Sequence, residues 1–559
     1  MSAELFGPLL EDVPYLSETG PLTLGAFLIE VCRRFGPNEA LVFDDPLRGG
    51  KTVRWSYADL EREARRVAQA LLALRLGKGA RVATLLANRP EAVAAFFGAA
   101  LAGCVVVPLS TFSTPSELEQ LLASSDASVL LTQTRMGKQQ FAAQVSGRLV
   151  PTSDLPFLHT LVAVGPEHDL HGLLGWDDFL ESGDEVPADL IDAVVATTSP
   201  SDHGLVLYSS GTTATPKGVL HHHRAPTLQF WVQAHLFGRD ETTRMWSALP
   251  LFWTAGMNTA MGSTLASGGC WIMQEGFDAR VALELMTRER VTEPYTLPHQ
   301  AKALAEHPDW ATADLSSLAF VFGKSVFAHH PTVTGDPRWQ MPVGWGMSET
   351  CAFVCAHPSS SDRQTMRASL GHLLPGNRLR VVDPDTGGLL EIGQSGELLI
   401  QGPTLMEHYI GKSREECFDP DGWYRTGDVG HVDAEGQVHW TGRRTEMIKT
   451  GGANVSPAEI EVQLRAHPGV RLARVLAMPD PRLEQIAVLC VELVEGDDSD
   501  ADALRAFLRE RLAAYKVPKQ VLFFAPGEIP LTASGTKVVD DALRALVVAR
   551  TPPPPEGAP

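Results

Sequence analysis

The segment Ser209-Ser210-Gly211-Thr212-Thr213-Ala214-Thr215-Pro216-Lys217-Gly218 follows an apolar run, Gly204 to Tyr208, and this pairing constrains the fold more than any other feature. Leu205, Val206, Leu207 and Tyr208 in succession read as a buried strand that delivers the loop to the edge of a sheet. Gly211 and Gly218 let backbone amides approach an anion, the hydroxyls donate to its oxygens, and Lys217 adds a point charge. The loop therefore reads as a phosphate cradle. It is not the Gly-x-x-x-x-Gly-Lys-Ser/Thr loop of nucleotide kinases, because Gly211 is followed by Pro216-Lys217-Gly218.

A chain of 559 residues exceeds one ordinary core, so two or more domains are expected. Ser56 and Asp59 cap a helix whose Leu60, Ala64, Val67, Ala68, Leu71 and Leu72 share a face. A strand from Arg81 to Leu86, a helix from Pro90, a strand from Val105 to Val107, a capped helix from Ser113 to Ser124 and a strand from Ala127 to Leu131 follow. This alternation is the doubly wound rhythm of an α/β protein. Turn-rich strands at Gly396–Ile400 and Gly436–Trp440 precede a fresh compact alternation marked by Ser456, Ile460, Leu464, Val475 and Leu489. The boundary is placed accordingly, with residues 1–442 as a large domain, 443–550 as a small one and the proline-rich 551–559 as a disordered tail.

A net charge of −20 argues against a nucleic-acid footprint, while leaving room for a local basic loop within a Debye length of about 8 Å. The seven cysteines are scattered without a CxxC pair, which favours reduced thiols in a cytoplasmic protein over disulfides or a zinc site. The acidic Met1–Leu10 stretch does not resemble a signal peptide. The apolar Ala92–Leu109 stretch is broken by Gly98, Gly103 and Pro108, so it reads as a helix and buried strand rather than a membrane span.

Five motifs occur in order: the Ser209–Gly218 loop, Gly344-Trp345-Gly346-Met347-Ser348-Glu349-Thr350, Tyr424-Arg425-Thr426-Gly427-Asp428, Gly442-Arg443 leading to Ile448-Lys449-Thr450-Gly451-Gly452, and Pro530-Leu531-Thr532-Ala533-Ser534-Gly535-Thr536-Lys537. The series resembles the adenylate-forming superfamily of acyl-CoA synthetases, carrier-protein adenylation domains and beetle luciferase, from about residue 20 to 545. That resemblance implies a large N-terminal domain of doubly wound sheets with a β-barrel-like subdomain, and a small mobile α+β C-terminal domain. It also implies two half-reactions with ATP, Mg²⁺ and coenzyme A: a carboxylate attacks the α-phosphate to give an acyl-adenylate, and a thiol then displaces AMP. Such chemistry asks the protein mainly for alignment and charge stabilisation.

Carried over residue by residue, the resemblance gives Lys217, Ser209, Ser210, Gly211, Thr212 and Thr213 the β- and γ-phosphates, and Ser348 the α-phosphate. Glu349 would be the Mg²⁺ ligand, as a hard cation prefers carboxylate oxygen. Trp345, within Gly344–Met347, would stack on adenine where tyrosine is frequent, and Gly323-Lys324-Ser325 would wall the other face; Gly346 completes that turn. Asp428 would accept from the ribose hydroxyls and Arg443 would donate to them. Lys537 would be the principal catalytic residue, an ammonium between the attacking carboxylate and the α-phosphate. Thr445 would be the hinge.

The chain departs from the family's usual pattern at Ala214, at Thr536 before Lys537, at Thr445, and at Trp253, where histidine is common at the mouth of the acyl pocket. Trp253, Gly256, Met257, Phe322, Gly344, Met347 and Val354 would form an apolar, aromatic-walled pocket for a fatty, aryl or alicyclic acid. Tyr515-Lys516-Val517-Pro518 resembles the CoA-ligase version of its motif; Lys516 would meet CoA phosphates, and Gly451 and Gly452 would line the pantetheine tunnel. The alternatives are an acyl-AMP ligase that loads a separate carrier protein, and a non-catalytic homologue. A monomer or homodimer is expected. His221-His222-His223-Arg224 reads as structural, with side chains spread over the faces of an ensuing helix, and His299 and His357 as packing residues.

Overall fold

The computed structural model describes residues 2–13, 16, 22–148, 155–209, 217–323, 325–334, 339–384, 386–443, 448–455, 457–531 and 538–550. Two mostly parallel sheets dominate the first two-thirds of the chain. The larger has eight strands, in which Val105–Pro108, Arg81–Leu85, Ala127–Gln133, Thr160–Val164 and Leu174–Gly175 run parallel in that spatial order. On the other side of Val105–Pro108 lie His203–Ser209, then Lys217–His222, then His408–Tyr409, the last two pairings antiparallel. The second sheet orders Glu293–Pro294, Arg244–Ser247, Cys270–Met273, Glu39–Asp45 and Lys51–Ser56, with only the last pairing antiparallel.

Helices fill the space between the two sheets, and one of them accounts for most of the apolar Ala92–Leu109 stretch. Every residue of Pro90–Leu101 is buried. A helix that is apolar all round suits a site enclosed on every side, here between Tyr57–Ala73 and the two sheets. No helix among the described residues is long and apolar enough to cross a membrane. The Ser56 and Asp59 capping box is present, with Asp59 N–H on Ser56 Oγ at 3.1 Å and Ser56 N–H on Asp59 Oδ2 at 2.9 Å. The helix Pro115–Ser125 is capped by Thr114 rather than Ser113, in a second box closed by Glu117.

A five-stranded antiparallel sheet carries the middle of the chain, in the order Glu4–Phe6, Arg378–Val382, Gly396–Gln401, Tyr424–Val432 and Val438–Arg443. The expected barrel is not closed: among the described residues no pairing joins Glu4–Phe6 to Val438–Arg443, so the sheet has two edges. A hairpin, Val343–Met347 with Ala352–His357, packs beside it. From Ile448 onward the chain builds a separate sheet of Ala453–Val455, Ile448–Thr450, Glu484–Leu493 and Val470–Asp480, with Gln520–Phe523 parallel to Glu484–Leu493. Its two faces carry two clusters drawn wholly from residues beyond 447, so this small C-terminal domain has its own core.

The His221–His223 run does not enter a helix. His221 and His222 end the strand Lys217–His222, and the helix Arg224–Phe237 begins after them. At the far end of that helix Gly238 turns left-handed, and Arg239 follows with its guanidinium fully buried. Arg239 grips Glu293 through two bonds of 2.7 and 2.6 Å and also donates to Thr259 O and Ser263 Oγ, so one cation ties the helix, the second sheet and the segment Ala255–Gly262 together. Removing one member of such a pair strands the other in a dry site at about 3–5 kcal/mol. Glu293→Ala is expected to lower the large domain's unfolding free energy, read from urea titration, by that much; an unchanged unfolding free energy would mean the pair is dispensable.

Candidate active site

The loop expected to cradle phosphate joins two hydrogen-bonded strands, with Lys217 paired opposite Ser209. Ser210, Gly211, Thr212 and Thr213 lie outside the described residues, as do Lys324, Thr445 and Lys537. Lys217 leads into a strand whose next neighbour is His408–Tyr409, with Val219 opposite Tyr409. This register sets the Lys217 ammonium 5.2 Å from the centre of the Tyr409 ring, a cation–π distance.

Tyr409 also reaches the second motif. Its phenol donates to Glu349 Oε1 at 2.6 Å and lies 2.7 Å from the Tyr424 hydroxyl. With the Tyr409 hydrogen given to the carboxylate, the Tyr424 hydroxyl supplies the hydrogen between the two phenols. Burial, and then the Glu349 charge, push the Tyr409 pKa well above its ordinary value, so it stays a donor at any physiological pH. Lys217 and Glu349, 132 positions apart in sequence, thus meet on one tyrosine.

The Glu349 turn is fixed from every side. Val343–Met347 and Ala352–His357 are joined by a single tight turn, Ser348–Thr350, closed by Cys351 at φ +60°. Gly346 is required because a Cβ there would run into the Ala352 carbonyl. His221 Nε2–H donates to Ser348 O at 2.8 Å, Met406 N–H to Glu349 O at 2.7 Å, and Gln229 Nε2 to Phe353 O at 2.7 Å. Asn258, in the wide-turned helical segment Ala255–Gly262, holds Cys351 O. The left-handed Cys351 costs about 1–2 kcal/mol, which these bonds offset.

Asp428 and Trp345 are also brought together. Trp345 Nε1 donates to Asp428 Oδ2 at 2.8 Å, and both side chains are buried. Asp428 pairs with Arg443 across the strands Tyr424–Val432 and Val438–Arg443, so the two expected ribose partners are neighbours by register. Gly323 lies against Arg363, whose guanidinium a Cβ would meet at 2.6 Å, and Ser325 caps the turn that follows.

The expected acyl-pocket residues are less tightly grouped. Trp253 packs edge-on against Phe112 and Phe252 at 5.9 and 5.8 Å, and its carbonyl accepts Met257 N–H at the start of the wide-turned segment holding Gly256. Phe322 and Phe353 are partly buried and pack against the cluster that holds Trp339. Gly344 lies close under Phe353. Met257 and Val354 are fully buried in two other clusters, Val354 beside Trp345 and the partly buried Met347.

The C-terminal domain meets this region through Gly451 and Gly452. Both are left-handed; a Cβ on Gly452 would come within 2.7 Å of Leu297, and one on Gly451 within 3.4 Å of His299 Nδ1. Lys516 departs from expectation. Its ammonium is buried 2.6 Å from Glu459 and 3.3 Å from Glu117, which leaves it turned away from any solvent-borne phosphate in this arrangement. Burial opposes the charge, but the Glu459, Tyr515 and Glu117 neighbours outweigh it and raise the Lys516 pKa.

The histidine run is absorbed into the scaffold: His221 holds Ser348, His222 lies 2.9 Å from Glu407, and His223 Nδ1 accepts Leu24 N–H. Among the described residues no three His, Cys, Asp or Glu side chains cluster as a metal cage. Glu349, a single carboxylate that meets Lys217 on Tyr409, has the chemistry that a Mg²⁺ held mainly by phosphates and water would require.

Residues 28–410 match the AMP-binding enzyme family, and 459–536 match the AMP-binding enzyme C-terminal domain. The chain is 34% identical over 500 residues to the indoleacetate–CoA ligase of Aromatoleum aromaticum, covering 89% of this chain and 94% of the relative. It is 30% identical over 561 residues to 4-coumarate–CoA ligase 1 of Oryza sativa subsp. japonica, covering 97% and 94%. Its fold is similar to that of the amide bond synthetase McbA from Marinactinospora thermotolerans, with TM-score 0.73, 28% identity, and 92% and 99% of the two chains covered. The chain belongs to the adenylate-forming family of AMP-binding enzymes, the acyl-CoA synthetases, and it is an enzyme of that class.

Two outcomes follow from the geometry. Tyr409→Phe removes a hydrogen bond to a carboxylate worth about 2 kcal/mol, so pyrophosphate release should fall about thirtyfold and need more Mg²⁺. A rate within twofold of wild type would show that Glu349 is held without it. Burial also lowers the His221 pKa to about 4, below the ordinary value of 6.5. The unfolded chain binds this proton first as pH falls, so the neutral buried ring stabilises fully above about 6.5 and progressively less toward 4. His221→Gln keeps a donor for Ser348 and should flatten the stability–pH slope between these values by up to about 1.4 kcal/mol per unit. An identical slope would contradict the assignment.

Proposed function

We propose that the protein activates an aryl-bearing carboxylic acid with ATP and transfers the acyl group to coenzyme A. The observation that carries this reading is the meeting of Lys217 and Glu349 on Tyr409, with Ser348 next to Glu349 on the turn that His221 holds and Trp345 hydrogen-bonded to Asp428. An aryl substrate is supported by the Phe112, Phe252 and Trp253 edge-to-face cluster and by relatives named for indoleacetate and 4-coumarate.

In the first half-reaction a carboxylate oxygen attacks the α-phosphorus, and the bond to the departing pyrophosphate breaks. Lys217 and the hydroxyls of its loop hold the outgoing phosphates, Ser348 orients the α-phosphate, and Asp428 with Arg443 holds the ribose. Glu349 would hold Mg²⁺, which when bound offsets phosphate charge. Lys537 offsets the repulsion between carboxylate and phosphate. In the second half-reaction the CoA sulfur attacks the acyl carbon, the acyl–phosphate bond breaks, AMP leaves and the thiol proton passes to solvent. Gly451 and Gly452 line the passage of the pantetheine arm, and the C-terminal domain, from residue 443, pivots about Thr445 between the two steps.

The test is release of AMP and pyrophosphate over a panel of aryl, fatty and alicyclic acids, each with and without CoA. CoA-dependent AMP release confined to aryl acids supports the proposal. Release with fatty acids alone overturns the substrate class, and pyrophosphate without CoA-dependent turnover points to a carrier protein as acceptor. Within the same scheme Lys537→Ala should reduce adenylation at least a hundredfold while leaving thioesterification of a supplied acyl-adenylate within a few-fold of wild type. Equal losses in both steps would refute its role.

A further inference from the structure

Glu117 belongs to none of the five motifs, yet it spans the two domains. Its Oε2 accepts Thr114 N–H at 2.8 Å and closes the capping box at the start of Pro115–Ser125. Its Oε1 points the other way, accepting Ala513 N–H at 3.1 Å and lying 3.3 Å from Lys516 Nζ. The side chains of Glu117, Lys516 and Glu459 are 7, 6 and 3% exposed, so these contacts are dry. Beside them the Tyr515 ring meets Phe112 edge-on at 6.2 Å, and Phe112 itself packs on Phe252 and Trp253.

The arrangement is asymmetric. Glu459 and Lys516 sit in the same small domain and stay paired however that domain turns. Glu117 is the partner contributed from the large domain, and its helix cap fixes the direction of the outward oxygen before docking occurs. A carboxylate already oriented by its own helix loses little side-chain freedom on binding, so more of the interaction reaches the docked state. The docked state here is the one that brings Gly451 and Gly452 against Leu297 and His299.

We propose that Glu117 is a positioning residue that latches the C-terminal domain in the arrangement used for thioester formation, by accepting Ala513 N–H and pairing with Lys516 across the domain boundary. This rests on the two-step reading above. Breaking the latch disfavours the second half-reaction and leaves the first, in which the C-terminal domain presents another face, without loss.

The test compares wild type, Glu117→Gln and Glu119→Gln in the full-length protein. Glu119→Gln removes the same charge from the same helix outside the Thr114–Glu117 capping box, and so controls for a purely structural effect. Amide hydrogen exchange over 511–519 should quicken at least tenfold in Glu117→Gln and stay unchanged in Glu119→Gln. With an accepted acid, Glu117→Gln should form pyrophosphate within twofold of wild type, while CoA-dependent conversion of supplied acyl-adenylate falls about tenfold in kcat. Unchanged protection over 511–519, or equal loss in both half-reactions, overturns the latch. Failure of the wild type to release pyrophosphate with any acid overturns the functional reading instead, and the exchange measurement still decides whether Glu117 holds the domain.

Discussion

The site rests on the buried phenol of Tyr409, which a low-dielectric environment keeps protonated and therefore able to give one short hydrogen bond to Glu349. Its ring faces the Lys217 ammonium and its oxygen meets Tyr424, so residues from three motifs and one unmarked segment share a single side chain. That position depends on a two-residue strand, His408–Tyr409, added antiparallel to Lys217–His222 at the edge of the large sheet. Ser209 and Lys217, the two ends of the loop read as a phosphate cradle, pair with each other on the strands next to that edge. Without the His408–Tyr409 addition, Glu349 would stand on a strained turn with its carboxylate unsupported.

Supporting bonds of the same kind surround that turn. His221, Gln229 and Asn258 come from a strand, a helix and a wide-turned helical segment, and each satisfies a carbonyl of the Ser348–Phe353 stretch. Catalysis by alignment needs groups that do not reorganise as charge develops, and a turn with its carbonyls already bonded meets that need. In the small domain, the glycine pair lies against Leu297 and His299 while Ala513 and Tyr515 contact Glu117 and Phe112 of the large domain.

Local signals in the sequence were read well where the physics is local. The Ser56 and Asp59 box, the buried strand before the phosphate loop and the Pro90 helix depend on neighbours within a few residues, and all three are present. Glu349, Trp345 and Asp428 were singled out through motif order; the structure hydrogen-bonds Trp345 to Asp428 and joins Glu349 to Lys217 through Tyr409. Tyr409, Gln229 and Asn258 were not legible: each acts on a turn more than 50 positions away, and nothing in its own neighbourhood records that. The His221–His223 run was read as side chains spread over the faces of an ensuing helix, whereas His221 and His222 end the strand Lys217–His222. Lys516 was expected to meet CoA phosphates because its motif resembles the CoA-ligase version; its partner Glu117, 399 positions away in sequence, was not legible.

The central claim is that a carboxylate oxygen of the acid becomes bonded to the α-phosphorus of ATP at the Lys217, Ser348 and Glu349 site. Turnover of an accepted acid labelled with ¹⁸O in its carboxylate, followed by mass analysis of the products, tests it directly. The account predicts one ¹⁸O in AMP and none in pyrophosphate, since the attacking oxygen stays on phosphorus when the thiol displaces AMP. Unlabelled AMP, or label in pyrophosphate, would contradict it.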